Sequence, residues 1–165
     1  MSEASTASFE VAFVVNGSAV IEQVAPRTTL VDFLRQRLGL TGSHVGCEHG
    51  FCGACHVRVD GRVLRGCLLL AVQAEGTDVQ TIEGLSASGE ITDLQEAFVR
   101  RNAMQCGFCT PGMLMIAAEL LARCDVPSRE AIRDALSGNY CRCTGYQSIV
   151  DAIEEVARAR YGVAA

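Results

Sequence analysis

The sequence predicts an α+β chain in two parts, a small β-rich domain followed by a compact four-helix domain, with domains over 1–84 and 85–165. Three observations predict it. Asn16-Gly17 and Asp60-Gly61 each lie between runs of alternating, β-branched residues, the pattern of a tight hairpin. The small, polar stretch "EGLSASGE" (83–90) then reads as a linker. Beyond it, apolar residues recur at helical spacing.

Taken in order, "FEVAFVV" (9–15) and "AVIEQV" (19–24) form the first hairpin. Thr28 or Thr29 then caps a helix carrying Leu30, Phe33, Leu34 and Leu38, which stops before Gly39. A Gly/Cys loop follows over 42–54. "HVRVDGRVL" (56–64) forms the second hairpin, and "TDVQTI" (77–82) a last strand. In the second half, Thr92 with Gln95 has the pattern of a capping box ahead of Leu94, Phe98 and Val99. Pro111 suits the first position of a helix through Met113, Ile116 and Leu120. Ser128 caps "REAIRDAL", which ends at Gly138. Ser148 with Asp151 caps a final helix with Ile149, Ile153 and Val156 on its apolar face.

Composition narrows the function. Hydrophobic residues make up 49% and charged residues 20%, as in soluble globular proteins, and the apolar run "CLLLAV" (67–72) is far too short to span a bilayer. The start "MSEASTASFE" lacks the basic region and apolar core of a signal peptide, which points to the cytoplasm. The net charge is −5 and the 14 Lys and Arg form no stripe, which argues against nucleic acid. Nine cysteines in a reducing compartment read as thiols or metal ligands rather than disulfides.

Eight of the nine fall into two quartets. Cys47, Cys52, Cys55 and Cys67 have the ligand spacing of a plant-type 2Fe–2S ferredoxin, in which a loop wraps a diamond-shaped cluster and a fourth thiolate returns from beyond the next hairpin. Gly46, Gly50 and Gly53 let the backbone approach and aim amides at sulfur. Such donors are needed. Two ferric ions, two sulfides and four thiolates carry two negative charges, and reduction adds a third.

The second quartet is Cys106 and Cys109, just ahead of the Pro111 helix, with Cys141 and Cys143, just after the helix ending at Gly138. In an antiparallel bundle the start of one helix meets the end of another, so the two close pairs converge. A four-cysteine zinc site is the alternative for either quartet, and a disulfide framework is a further one. Cys124 has no partner motif and reads as a buried structural thiol. His44 and His49 flank the first loop and read as surface or loop residues, since four cysteines leave no ligand position open. Arg65 and Arg142 adjoin the quartets and either soften the clusters' charge or face solvent.

Together "GCEHGFCGAC" (46–55), "QCGFCTPGM" (105–113) and "GNYCRCTGY" (138–146) resemble the iron–sulfur subunit of the xanthine dehydrogenase, or molybdenum hydroxylase, family, over about Phe9 to Ala159. The resemblance implies a plant-type ferredoxin β-grasp domain and a four-helix-bundle domain, each with one 2Fe–2S cluster. It implies a large partner carrying a molybdenum–pterin cofactor, a medium partner carrying FAD, and a heterotrimer or its dimer. This chain would then relay electrons from molybdenum to flavin or another acceptor, with no substrate chemistry of its own. By motif match, Gln105 and Cys143 would lie against the pterin. His56 departs from the family, which often has Thr there. A freestanding two-cluster ferredoxin and a structural zinc protein are the competing readings.

Overall fold

The computed structural model describes residues 7–162. The first six residues, which begin the stretch inspected for a leader, lie outside them. Two antiparallel hairpins build one sheet. Strand β1 (Phe9–Val15) pairs with β2 (Ser18–Val24) in a register running from Phe9 opposite Val24 to Val15 opposite Ser18. Strand β3 (His56–Val59) pairs with β4 (Arg62–Arg65), His56 opposite Arg65. Both turns are made as expected, with Asn16, Gly17, Asp60 and Gly61 all at positive φ. Strand β5 (Asp78–Gln80) is parallel to β1 and antiparallel to β3, giving the mixed order β2-β1-β5-β3-β4.

Helix α1 (Leu30–Gln36) covers this sheet. Thr29 caps it, its hydroxyl accepting from the Asp32 amide at 3.2 Å. Leu30, Phe33 and Leu34 bury against Val11, Phe13, Val57 and Val79, with the Phe13 and Phe33 rings 5.4 Å apart. Each such side chain contributes about 1.5–3 kcal/mol through burial.

The stretch read as a linker is not one. Residues Ile82–Ala87 form helix α2, with Ile82 and Leu85 buried. The stretch fails to look helical because of Gly84 and its serines, yet Gly84 is required, since a Cβ there would collide with Asn16. Asn16 in turn accepts from the Thr81 amide at 2.8 Å, and Glu83 accepts from the Gly42 amide at 2.7 Å, so α2 is stapled to the sheet half.

The helical half comprises α3 (Thr92–Arg100), α4 (Thr110–Arg123), α5 (Arg129–Leu136) and α6 (Gln147–Arg160). Its core joins Leu94 and Phe98, Met113 and Leu121, Ile132 and Leu136, Ile149, Ile153 and Val156. Helix α4 is central, packed by α3 and α5 on one side and by β3 and β4 on the other. Its burial therefore runs nearly all round, through Met113, Leu114, Met115, Ala117, Ala118 and Leu121, with Ile116 and Leu120 only partly covered. That is why a single apolar stripe misjudged it.

Ser128 caps α5, accepting from the Ala131 amide at 3.1 Å. The other two expected caps do not form. Helix α3 starts after Ile91 with no side-chain cap, and Gln95 donates instead to Ser86. Helix α6 starts after Tyr146, and Asp151 accepts from Arg129 at 2.6 Å. Other side-chain contacts claim the capping groups, a hydrogen bond at Gln95 and an ion pair at Asp151. The two halves are joined by Arg58 to Glu90 at 2.6 Å and by the Val63 amide to Glu119 at 2.9 Å.

Candidate metal centres

The fold draws each quartet into two thiol pairs. In the first, Cys47 lies beside Cys52, and Cys55 beside Cys67. In the second, the Cys106 and Cys143 sulfurs are 3.6 Å apart, and Cys109 lies beside Cys141. The start of α4 and the end of the α5 segment therefore do meet. All nine cysteines are free thiols. Among the described residues, no three His, Cys, Asp or Glu side chains gather as closely as a single metal ion requires. Each quartet thus presents two thiol pairs side by side.

Local electrostatics are those of an anion cradle. Burial works against a thiolate at Cys47, but the amides of Cys52, His49 and Phe51 outweigh it and bring its pKa down to about 6. Two of these bonds are explicit, from Phe51 at 3.3 Å and Cys52 at 3.4 Å. The amides reaching this sulfur thus belong to His49, Phe51 and Cys52 rather than to the loop's glycines. Cys141 is also held low. Burial opposes it, while the Thr144 hydroxyl at 3.1 Å and the Thr144 amide at 3.4 Å favour its thiolate. Burial pushes the Cys55 and Cys109 thiols up to about 12, helped by the neighbouring Cys67 and Cys141. Cys143 is raised by Cys106. Four thiolates share such a space only around a cationic centre. The residues present therefore fit a 2Fe–2S group at each quartet.

The two centres are mutually supported. The first loop packs on the Gly138–Tyr140 segment, where the Tyr140 amide donates to the Cys52 carbonyl at 2.9 Å. Gly53, at φ +71°, and Gly112 make the closest approach: a Cβ on Gly112 would collide with the Gly53 carbonyl oxygen. His44 accounts for a further contact. Its ring stacks on Phe108, centroids 4.7 Å apart, and Nδ1 is 2.8 Å from the Phe108 carbonyl oxygen. His44 precedes the first quartet, whereas Phe108 lies inside the second.

His56 is buried between β3 and α4; burial and then Arg65 bring its pKa down to about 4, against the pull of the Gly112 carbonyl. Cys124 is exposed rather than buried, because it ends α4 in extended backbone. Met113 belongs wholly to the helical core, whereas Phe108 remains 46% exposed. Gln105, Cys106, Arg142 and Cys143 form an exposed face of the second centre. The sequence reading missed the Thr144 hydroxyl. The position of Thr144 within "CRCTGY" was its only available signal. The Tyr146 hydroxyl accepts from the Cys141 amide at 2.8 Å and donates to the Asn139 carbonyl at 3.1 Å.

A family described as 2Fe-2S iron-sulfur cluster binding domain matches residues 13–84, and one described as 2Fe-2S binding domain matches 81–154. The caffeine dehydrogenase subunit gamma of Pseudomonas sp. (strain CBB1) is 51% identical over 154 residues, covering 90% of this chain and 91% of that one. The chain belongs to the iron–sulfur subunits of the xanthine dehydrogenase and aldehyde oxidoreductase family. The nicotine 6-hydroxylase small subunit of Paenarthrobacter nicotinovorans, another similar chain, is 52% identical over 139 residues, with 84% of each chain covered. Among solved structures, quinoline 2-oxidoreductase from Pseudomonas putida 86 superposes with a TM-score of 0.87 at 47% identity, covering 95% of this chain and 99% of that one. Subunits of this family serve molybdenum-containing dehydrogenases and hydroxylases in electron transfer, and this chain carries both 2Fe–2S domains.

Proposed function

We propose that Cys47, Cys52, Cys55 and Cys67 hold one 2Fe–2S cluster, and that Cys106, Cys109, Cys141 and Cys143 hold the other. The sheet half, residues 1–84, is read as a plant-type ferredoxin β-grasp domain, and residues 85–165 as a four-helix-bundle domain. When bound, each cluster accepts and releases one electron at a time. This chain's part is to hold the two sites at a fixed separation, supply sulfur with amide and hydroxyl donors, and keep one face of each site near a partner.

The exposed face at Gln105 and Cys143 is assigned to the molybdenum–pterin cofactor of a large catalytic partner. The exposed Phe51 beside the first quartet is assigned to the side facing a medium FAD partner or another acceptor. The assembly is read as a cytoplasmic heterotrimer or its dimer. Among the described residues no helix is long and apolar enough to cross a membrane. The relatives are named for caffeine, nicotine and quinoline while their iron–sulfur chains stay alike, which supports placing substrate choice in another chain.

The observation that carries this reading is the seam between the two quartets, where Tyr140 donates to Cys52 at 2.9 Å. A freestanding ferredoxin has no use for a second site turned toward solvent beside Gln105. The test is Cys106→Ser in the assembled complex. Substrate should still reduce the large subunit in a single turnover, while reduction of the acceptor falls by about a hundredfold or more. Unchanged steady-state turnover would contradict the relay.

A further inference from the structure

One cross-strand pair bridges the segments that carry the two centres. His56 directly follows Cys55, and Arg65 precedes Cys67 by two residues; the two stand opposite each other in the β3–β4 ladder. The His56 ring lies against Gly112, three residues beyond Cys109 at the start of α4. Arg65 reaches the other arm of the second site, with Nη2 3.4 Å from the Gly138 carbonyl oxygen, three residues before Cys141. The fit at that arm is close, since a Cβ on Gly138 would stand 2.5 Å from Arg65 Nη2. Arg65 Nε is buried without a hydrogen-bond partner, and among the described residues Arg65 forms no ion pair with a carboxylate.

A guanidinium is permanently charged, and burying one without a carboxylate is costly unless other anions compensate it. The anions that lie along this seam are the two thiolate-held centres. We propose that Arg65 is a shared electrostatic element of the relay, a fixed cation at the junction that favours the reduced form of both clusters together. The inference rests on the functional reading above. A positive charge beside a site that becomes more negative on reduction raises its potential, and in this half-buried seam the effect is screened far less than at the surface. One residue placed against both sites keeps their potentials moving in step, so that neither becomes a trap for the electron.

The test is a mediated redox titration of the assembled complex, with both clusters followed by electron paramagnetic resonance. Arg65→Gln is expected to lower the ratio of reduced to oxidised cluster at fixed potential about tenfold at each site, equivalent to about 59 mV for a one-electron couple. Arg65→Lys, which keeps the charge, is expected to leave both ratios within about twofold of wild type. An Arg65→Gln complex with full iron and sulfide but one or both potentials unmoved overturns the inference while leaving the relay intact. A shift in Arg65→Lys equal to that in Arg65→Gln also overturns it, because charge would not be the agent. Should Arg65→Gln fail to load, Gly138→Ala displaces the guanidinium without deleting it; a lowered potential at the second site supports the assignment and an unmoved one overturns it. Absence of clusters from the wild-type chain would instead be a failure of the functional reading itself.

Discussion

The Tyr140 amide donates to the Cys52 carbonyl at 2.9 Å, and this single backbone bond joins one quartet to the residue beside the other. It exists because three glycines, Gly53, Gly112 and Gly138, remove the side chains that would keep the segments apart. The separation of the two centres is thus set by backbone packing. Such a spacing tolerates little change in side-chain volume.

Gly112→Ala tests that statement. Its methyl group has no room against the Gly53 carbonyl, while alanine is otherwise the better helix former. The expected result is a net loss of about 1–3 kcal/mol, the usual cost of overpacking, measured as a lower denaturation midpoint. A substitution on the exposed face of α4 should show no such loss. A neutral or stabilised Gly112→Ala would mean that the seam can open at no cost.

Thr144 donates to Cys141 through both its hydroxyl and its amide. Thr144→Val keeps the shape and the amide but removes the hydroxyl. Loss of a donor to sulfur destabilises the more negative reduced state, so the potential of the second site should fall by on the order of tens of millivolts while the first stays in place. Potentiometry with spectroscopic resolution of the two sites decides this, and Thr144→Ser should restore the wild-type value.

Helices α3 and α6 are clasped by Asp93 and Arg160, with two contacts at 2.7 and 2.8 Å. The Arg160 guanidinium holds the Asp93 carboxyl below its ordinary 3.8, although partial burial opposes the shift. Because the folded pKa is depressed, the stabilisation is fully present above the unfolded value and is lost as pH falls through the folded one. For this largely solvated pair it amounts to at most about 1 kcal/mol. Asp93→Asn should therefore lower the melting temperature by a constant amount from pH 5 to 8, and the gap from wild type should close below about pH 4. A gap that persists in acid would mean the lost stability has another source.

Both hairpins, α1, two caps and the gathering of eight cysteines into two groups were legible in the sequence, because turn chemistry, apolar period and cysteine spacing are local. What was not legible came from tertiary competition. Gly84 and its serines look like linker residues until Asn16 and Gly42 are seen bonding to their helix. Asp151 looks like a capping residue until Arg129, distant in sequence, claims it. His56 falls in a strand as read, yet nothing local marks it as buried until α4 covers it. The pairing of thiols within each quartet was likewise hidden, since Cys106 lies nearer in sequence to Cys109 than to Cys143, beside which the fold places it.

The most direct measurement is iron, zinc and acid-labile sulfide per chain on anaerobically purified protein. The account predicts about four iron and about four sulfide with no stoichiometric zinc, as two 2Fe–2S clusters require. Two iron and two sulfide would leave one quartet without its assignment. Zinc without sulfide would contradict the electron-relay reading altogether.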